Sequence, residues 1–115
     1  MGTVLFDQGE VRAYKIAQIP DNGILKPARK CADGWIVAHS EHGHHHICTG
    51  GDVMERTNDV PSGMRILYAI LDNPAEFIQD APNPHEKHVL PAGLYEFRCA
   101  REYDSFADQA RAVQD

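Results

Sequence analysis

Leu94-Tyr95-Glu96-Phe97-Arg98-Cys99-Ala100-Arg101-Glu102-Tyr103 alternates residue by residue. Tyr95, Phe97 and Cys99 fall on one face at a period of two and Glu96 and Arg98 on the other, the pattern of a β-strand with one side against a core. Pro91-Ala92-Gly93 supplies a turn in front of it. Earlier in the chain, Arg65 to Leu71 (RILYAIL) is a continuous apolar run. It fits a strand buried on both faces, and its length also admits a short buried helix. Between these runs, Asn73 to Asn83 and the following Pro84 read as mostly irregular, with a brief Glu76-Phe77-Ile78 strand.

The same period recurs toward the N-terminus. Glu10 to Ile19 alternates loosely and is the first expected strand. Pro20-Asp21-Asn22-Gly23 forms a turn, because Pro fixes φ, Asp and Asn bond to nearby backbone and Gly accepts positive φ. Ile24-Leu25-Lys26-Pro27 then suits a sheet edge, where proline's missing N–H does no harm. Asp33-Gly34 turns the chain into Trp35-Ile36-Val37-Ala38, a β-favouring run. Thr49-Gly50-Gly51-Asp52 reads as a hairpin turn that brings Val53-Met54-Glu55-Arg56 back alongside the preceding strand. In the tail, Ser105 followed by Asp108 and Ala107, Ala110 and Ala112 predicts a short helix.

Seven or eight short strands separated by turn signals predict an all-β fold: one domain over residues 1–115, a small sandwich or barrel, jelly-roll and cupin-like arrangements included, with 104–115 as a C-terminal helix or tail. A chain of 115 residues has room for one compact domain. Its 17 acidic against 11 basic side chains, net charge −6, and lack of a Lys/Arg-rich run argue against nucleic acid or an anionic membrane as partner. No apolar run approaches the roughly 18 residues that cross a bilayer. Met1 to Phe6 lacks a charged flank and an apolar signal core, and Phe6 stands where myristoylation wants Ser or Thr. Cys31, Cys48 and Cys99 are odd in number, without a CxxC pair, so neither a disulfide framework nor a thiolate zinc knuckle is expected. These features predict a soluble protein of the cytoplasm, or of a phage particle in a structural role.

Five of the seven histidines fall in His39-Ser40-Glu41-His42-Gly43-His44-His45-His46. Imidazole is the commonest metal ligand and titrates near neutral pH, which makes this stretch the first candidate for chemistry. In an extended strand His44 and His46 share a face and His45 points the other way. The first two can chelate one ion, and a zinc or iron site then needs a third protein ligand. His85 and Glu86 in Pro84-His85-Glu86-Lys87-His88 are the leading options, with Glu41, His39 and Cys48 behind them. By alternation Arg101 falls on the inward face, where a charge needs a partner such as Glu41, Glu86 or an anionic ligand. Glu41, Glu86 and Arg101 are therefore the catalytic candidates, and His44, His46 and His85 the metal candidates. No organic cofactor is indicated.

A strand-borne His-x-His followed by a later histidine resembles the layout of cupin metal sites. The cupin glutamate is missing, since Gly50 and Gly51 occupy its region and Glu55 lies too far on. From about Gly9 onward, the strings HSEHGHHH, HEKHVLPAGLYEF and AREY are similar to a family of small uncharacterised proteins of bacteria and their phages carrying HSE-x-GHHH, HE, LP-x-G-x-Y and REY. The resemblance implies His39, Ser40, Glu41, Gly43, His44, His45, His46, His85, Glu86, Gly93, Tyr95, Arg101, Glu102 and Tyr103 as pattern positions. It departs at His42 and at Cys99-Ala100, and it implies no reaction.

Two functions fit these residues. One is a mononuclear His-rich site, zinc or iron, acting on a small molecule through metal-activated water or oxygen. The other is a non-catalytic, phage-associated accessory module that assembles into a homo-oligomer and uses its histidines structurally.

Overall fold

The computed structural model describes residues 2–8, 10–39, 45–79 and 87–100. Eleven strands make up all the regular structure among them: β1 (Thr3–Gln8), β2 (Val11–Ile16), β3 (Leu25–Pro27), β4 (Arg29–Cys31), β5 (Gly34–His39), β6 (His45–Cys48), β7 (Asp52–Arg56), β8 (Met64–Leu71), β9 (Ala75–Gln79), β10 (His88–Leu90) and β11 (Gly93–Ala100). They form two antiparallel sheets, one in the order β1-β2-β11-β8-β7-β3 and the other β10-β9-β6-β5-β4. The all-β expectation holds, and of its two forms the chain takes the sandwich. The helix expected at 104–115 lies outside the described residues. No helix among the described residues is long and apolar enough to cross a membrane.

The alternation read in the sequence is the packing code of the larger sheet. Tyr95, Phe97 and Cys99 of β11 are buried, and in register beside them lie Ala13 and Val11 of β2 and Ala69 and Leu67 of β8. Small alanines next to large aromatics let the layer interdigitate. From the other sheet Phe77 of β9 meets Phe97 at a ring-centroid distance of 5.1 Å and Phe6 of β1 at 5.4 Å. Burial of β8 on both faces also holds from Ile66 to Ala69. Its outward Tyr68 is covered, and Arg56 donates to the Tyr68 hydroxyl at 3.2 Å.

One turn was misread from sequence. Thr49-Gly50-Gly51-Asp52 does not fold β7 back onto β6; it carries the chain from the smaller sheet to the larger, where β7 pairs with β8 and β3. The reason is local. Gly51 has φ +71°, a Cβ there would stand 2.4 Å from the Ile70 carbonyl oxygen, and the Gly51 carbonyl accepts the Trp35 indole N–H at 2.7 Å. Only glycine lets the backbone pass this close to β8 while changing layers.

Candidate functional site

β6 separates its two histidines by parity. His45 pairs in register with His39 of β5, and His46 with Ala38 on one side and Gln79 of β9 on the other. His46 points between the sheets and is 0% exposed. Its Nδ1 lies 2.7 Å from Gln8 Oε1. A carbonyl oxygen can only accept, so Nδ1 carries the proton and Nε2 is the nitrogen facing Glu10, whose Oε1 is 3.3 Å away. The Phe77 ring flanks the imidazole at 6.2 Å.

Two strands and a turn hold this group. Gln8 closes β1 and is itself buried; Glu10 follows in the β1–β2 turn. The Glu10 carbonyl accepts the Ala100 N–H at 3.1 Å, which ties that turn to the end of β11. Among the described residues, Glu10 Oε1 and Gln79 Oε1 are both buried and accept no hydrogen bond. Oxygen lone pairs withdrawn from water without a donor cost free energy. Of the two, Glu10 Oε1 is the one beside His46 Nε2, at 3.3 Å.

One neighbouring charge is matched by an ion pair. Arg65 of β8 forms a two-pronged pair with Glu55 of β7 at 2.8 and 3.2 Å and donates to the Val37 carbonyl at 3.2 Å. His39 is held below the usual histidine pKa, first by burial and then by His45, Arg65 and Arg29. His88 stacks on Phe6 with ring centroids 3.8 Å apart, a packing role on β10. Burial pushes the Cys48 thiol up, and that of Cys99 to about 12. A reagent that needs thiolate is therefore expected to titrate the half-buried Cys31 in the native protein and to reach Cys48 and Cys99 only on unfolding. Three fast thiols in a native Ellman titration would contradict this core.

Of the residues nominated from sequence, His46 stands at the centre of the cluster. His44, His85, Glu41, Glu86 and Arg101 lie outside the described residues. The strand ends that border their segments are His39 and His45, Gln79 and His88, and Ala100. Of these, His39, His45, Gln79 and Ala100 are tied to the His46 end through the His46–Ala38 and His46–Gln79 pairings and the Ala100–Glu10 hydrogen bond, and His88 pairs with Phe77. Sequence reading missed Gln8, Glu10 and Gln79. The one available signal was a glutamine on the inward parity of Phe6. Among the described residues no three His, Cys, Asp or Glu side chains group closely enough to hold an ion by themselves. Two clefts are described, and neither is lined by His46, Gln8 or Glu10; one carries Tyr14, Glu96 and Arg98, the other Arg56, Asp59 and Arg65.

In class, the chain is a small two-sheet β-sandwich with a buried imidazole, carboxylate and carboxamide cluster at one end. No family model matches it, and no curated protein and no solved structure was found to match it.

Proposed function

We propose that this chain is a metal-binding β-sandwich module, with His46 Nε2 and Glu10 Oε1 as two ligands of one divalent ion, zinc or iron(II), and His44 and His85 completing the set. The spacing of the first two carries this reading. Ligand atoms about 2.0–2.1 Å from a tetrahedral ion stand about 3.4 Å from one another, and Nε2 and Oε1 are 3.3 Å apart. Gln8 plays the part of the outer partner that accepts the other ring N–H and sets the tautomer. An ion with an open position would supply activated water to a small molecule, with Glu41, Glu86 and Arg101 as the side chains to test for catalysis.

The same contact supports a second reading. With Nε2 protonated, His46 and Glu10 form an ion pair that pins the β1–β2 turn to β6, and the chain is a structural or accessory module of the cytoplasm or a phage particle. Its self-association would use sheet edges such as β1, where Val4 and Leu5 are exposed.

Metal analysis of untagged protein that has never met a nickel column separates the two. One ion per chain is expected in the wild type, with loss on Glu10→Gln and on His44→Ala/His85→Ala. An ion retained in both variants would overturn the ligand set, and protein without any ion would leave the ion-pair reading.

A further inference from the structure

The geometry points to a second metal site on the opposite face of β6: His39 and His45 form a cross-strand bis-imidazole pair for an exchangeable borderline ion of the Ni2+ and Cu2+ class. The two are direct register partners of antiparallel strands. Side chains so placed start about 4.5–5.5 Å apart at Cβ, a separation that one ion can bridge. Their ring centroids are 4.5 Å apart, with planes at 78°. Rotation about χ2 of histidine is broad and two-fold, so turning a nitrogen of each ring to a common point costs little.

A second observation concerns the ring atoms themselves. His45 Nδ1 is buried and has no hydrogen-bond partner among the described residues. Backbone pairing fixes the strand beneath it, and the His39 ring stands edge-on to its own, 4.5 Å away centroid to centroid. A ligand atom withdrawn from water without a partner is what a metal ion would satisfy. Two cations, Arg65 and Arg29, stand near His39. Those cations set the strength. Arg65 is neutralised by its two contacts to Glu55, and the positive charge of Arg29 near His39 weakens the pair's hold on a dication. Two imidazoles select late first-row ions over Mg2+ or Ca2+, in the order that favours Cu2+. With only two protein ligands, the other coordination positions stay with water.

This site is independent of the His46 and Glu10 centre, because His45 and His46 project to opposite faces. The test is titration of the untagged protein with NiCl2 by calorimetry, for wild type, His39→Asn and His45→Asn, each first checked for a wild-type amide NMR spectrum. Wild type is expected to take up one rapidly exchanging equivalent beyond any ion it carries from purification, and each variant to bind it at least about tenfold more weakly, the loss of one of two ligands. The ion carried from purification is expected to be unchanged in both variants, which keeps this result separable from that for Glu10→Gln. In the wild type, Cu2+ is expected to show electron-spin coupling to two imidazole nitrogens. Should either folded variant keep wild-type Ni2+ affinity, or Cu2+ couple to a single imidazole, the pair is not a site.

Discussion

Replacing Phe77 with alanine is expected to lower stability by about 3–5 kcal/mol, a large share of the roughly 5–15 kcal/mol that domains of this kind possess. Phe77 is fully buried on β9 and spans the gap between the sheets. Its ring lies 5.1 Å from Phe97, 5.4 Å from Phe6 and 6.2 Å from the His46 imidazole, centroid to centroid. Truncation opens a hole that strands tied into two ladders cannot close. Phe77→Leu keeps most of the volume and is expected to lose under about half as much. Val89→Ala, on the exposed side of β10, is expected to stay within about 0.5 kcal/mol of wild type. Urea unfolding of the three variants gives the comparison. A Phe77→Ala midpoint close to that of Val89→Ala would mean that the two sheets do not meet at this ring.

His46→Ala is expected to cost about 3 kcal/mol for a different reason, since it removes a hydrogen-bond partner of the buried Gln8 carboxamide and the imidazole beside Glu10. The sign of a second substitution distinguishes this from simple loss of volume. In the His46→Leu background, Gln8→Leu is expected to recover stability, whereas in the wild-type background Gln8→Leu destabilises. The coupling between positions 8 and 46 should amount to about 1–3 kcal/mol in a double-mutant cycle. Additivity within about 0.5 kcal/mol would show that the carboxamide and the imidazole do not act as a unit.

The strands that sequence reading found are those whose two faces differ or whose whole length is apolar. β11 declares its buried side through Tyr95, Phe97 and Cys99, and β8 is recognisable from RILYAIL because it lies inside the sheet with both faces covered. Strands at the margins were not legible. β1 was missed because Thr3, Val4 and Leu5 are all exposed and only Gln8 is buried, so no alternation marks it. β4 and β10 are three residues each, too short to show a period, and the prolines around His88 pointed to a loop. The glycine pair at Gly50 and Gly51 announced a change of direction, but not whether the next strand joins the same sheet or the facing one. That choice depends on β8, whose backbone crowds Gly51 from residue 70.

The site was half legible for a related reason. Strand parity put His45 and His46 on opposite faces, and the structure adds that the His46 face is the buried one. The residues that meet His46 come from 36 to 38 positions earlier and from 33 later, and nothing in the local pattern of Gln8, Glu10 or Gln79 distinguishes them from surface polar residues. Glu10 in particular stands in the turn before β2, where a carboxylate is ordinarily solvated. Its inward turn follows from the β1–β2 reversal and its backbone bond to Ala100, contacts between segments 90 residues apart in the chain.

That bond belongs to a wider arrangement: β11 lies between β2 and β8, with full ladders to both. During synthesis the β1–β2 hairpin and the β3-β7-β8 group must therefore wait as two separate fragments, each with a bare apolar edge, until Ala100 has emerged from the ribosome. The keystone strand is the last of those described to be made. Pairing so distant in sequence makes closure slow compared with helical domains of equal size, and the waiting edges are where a nascent chain would be captured by a chaperone or by a neighbouring chain.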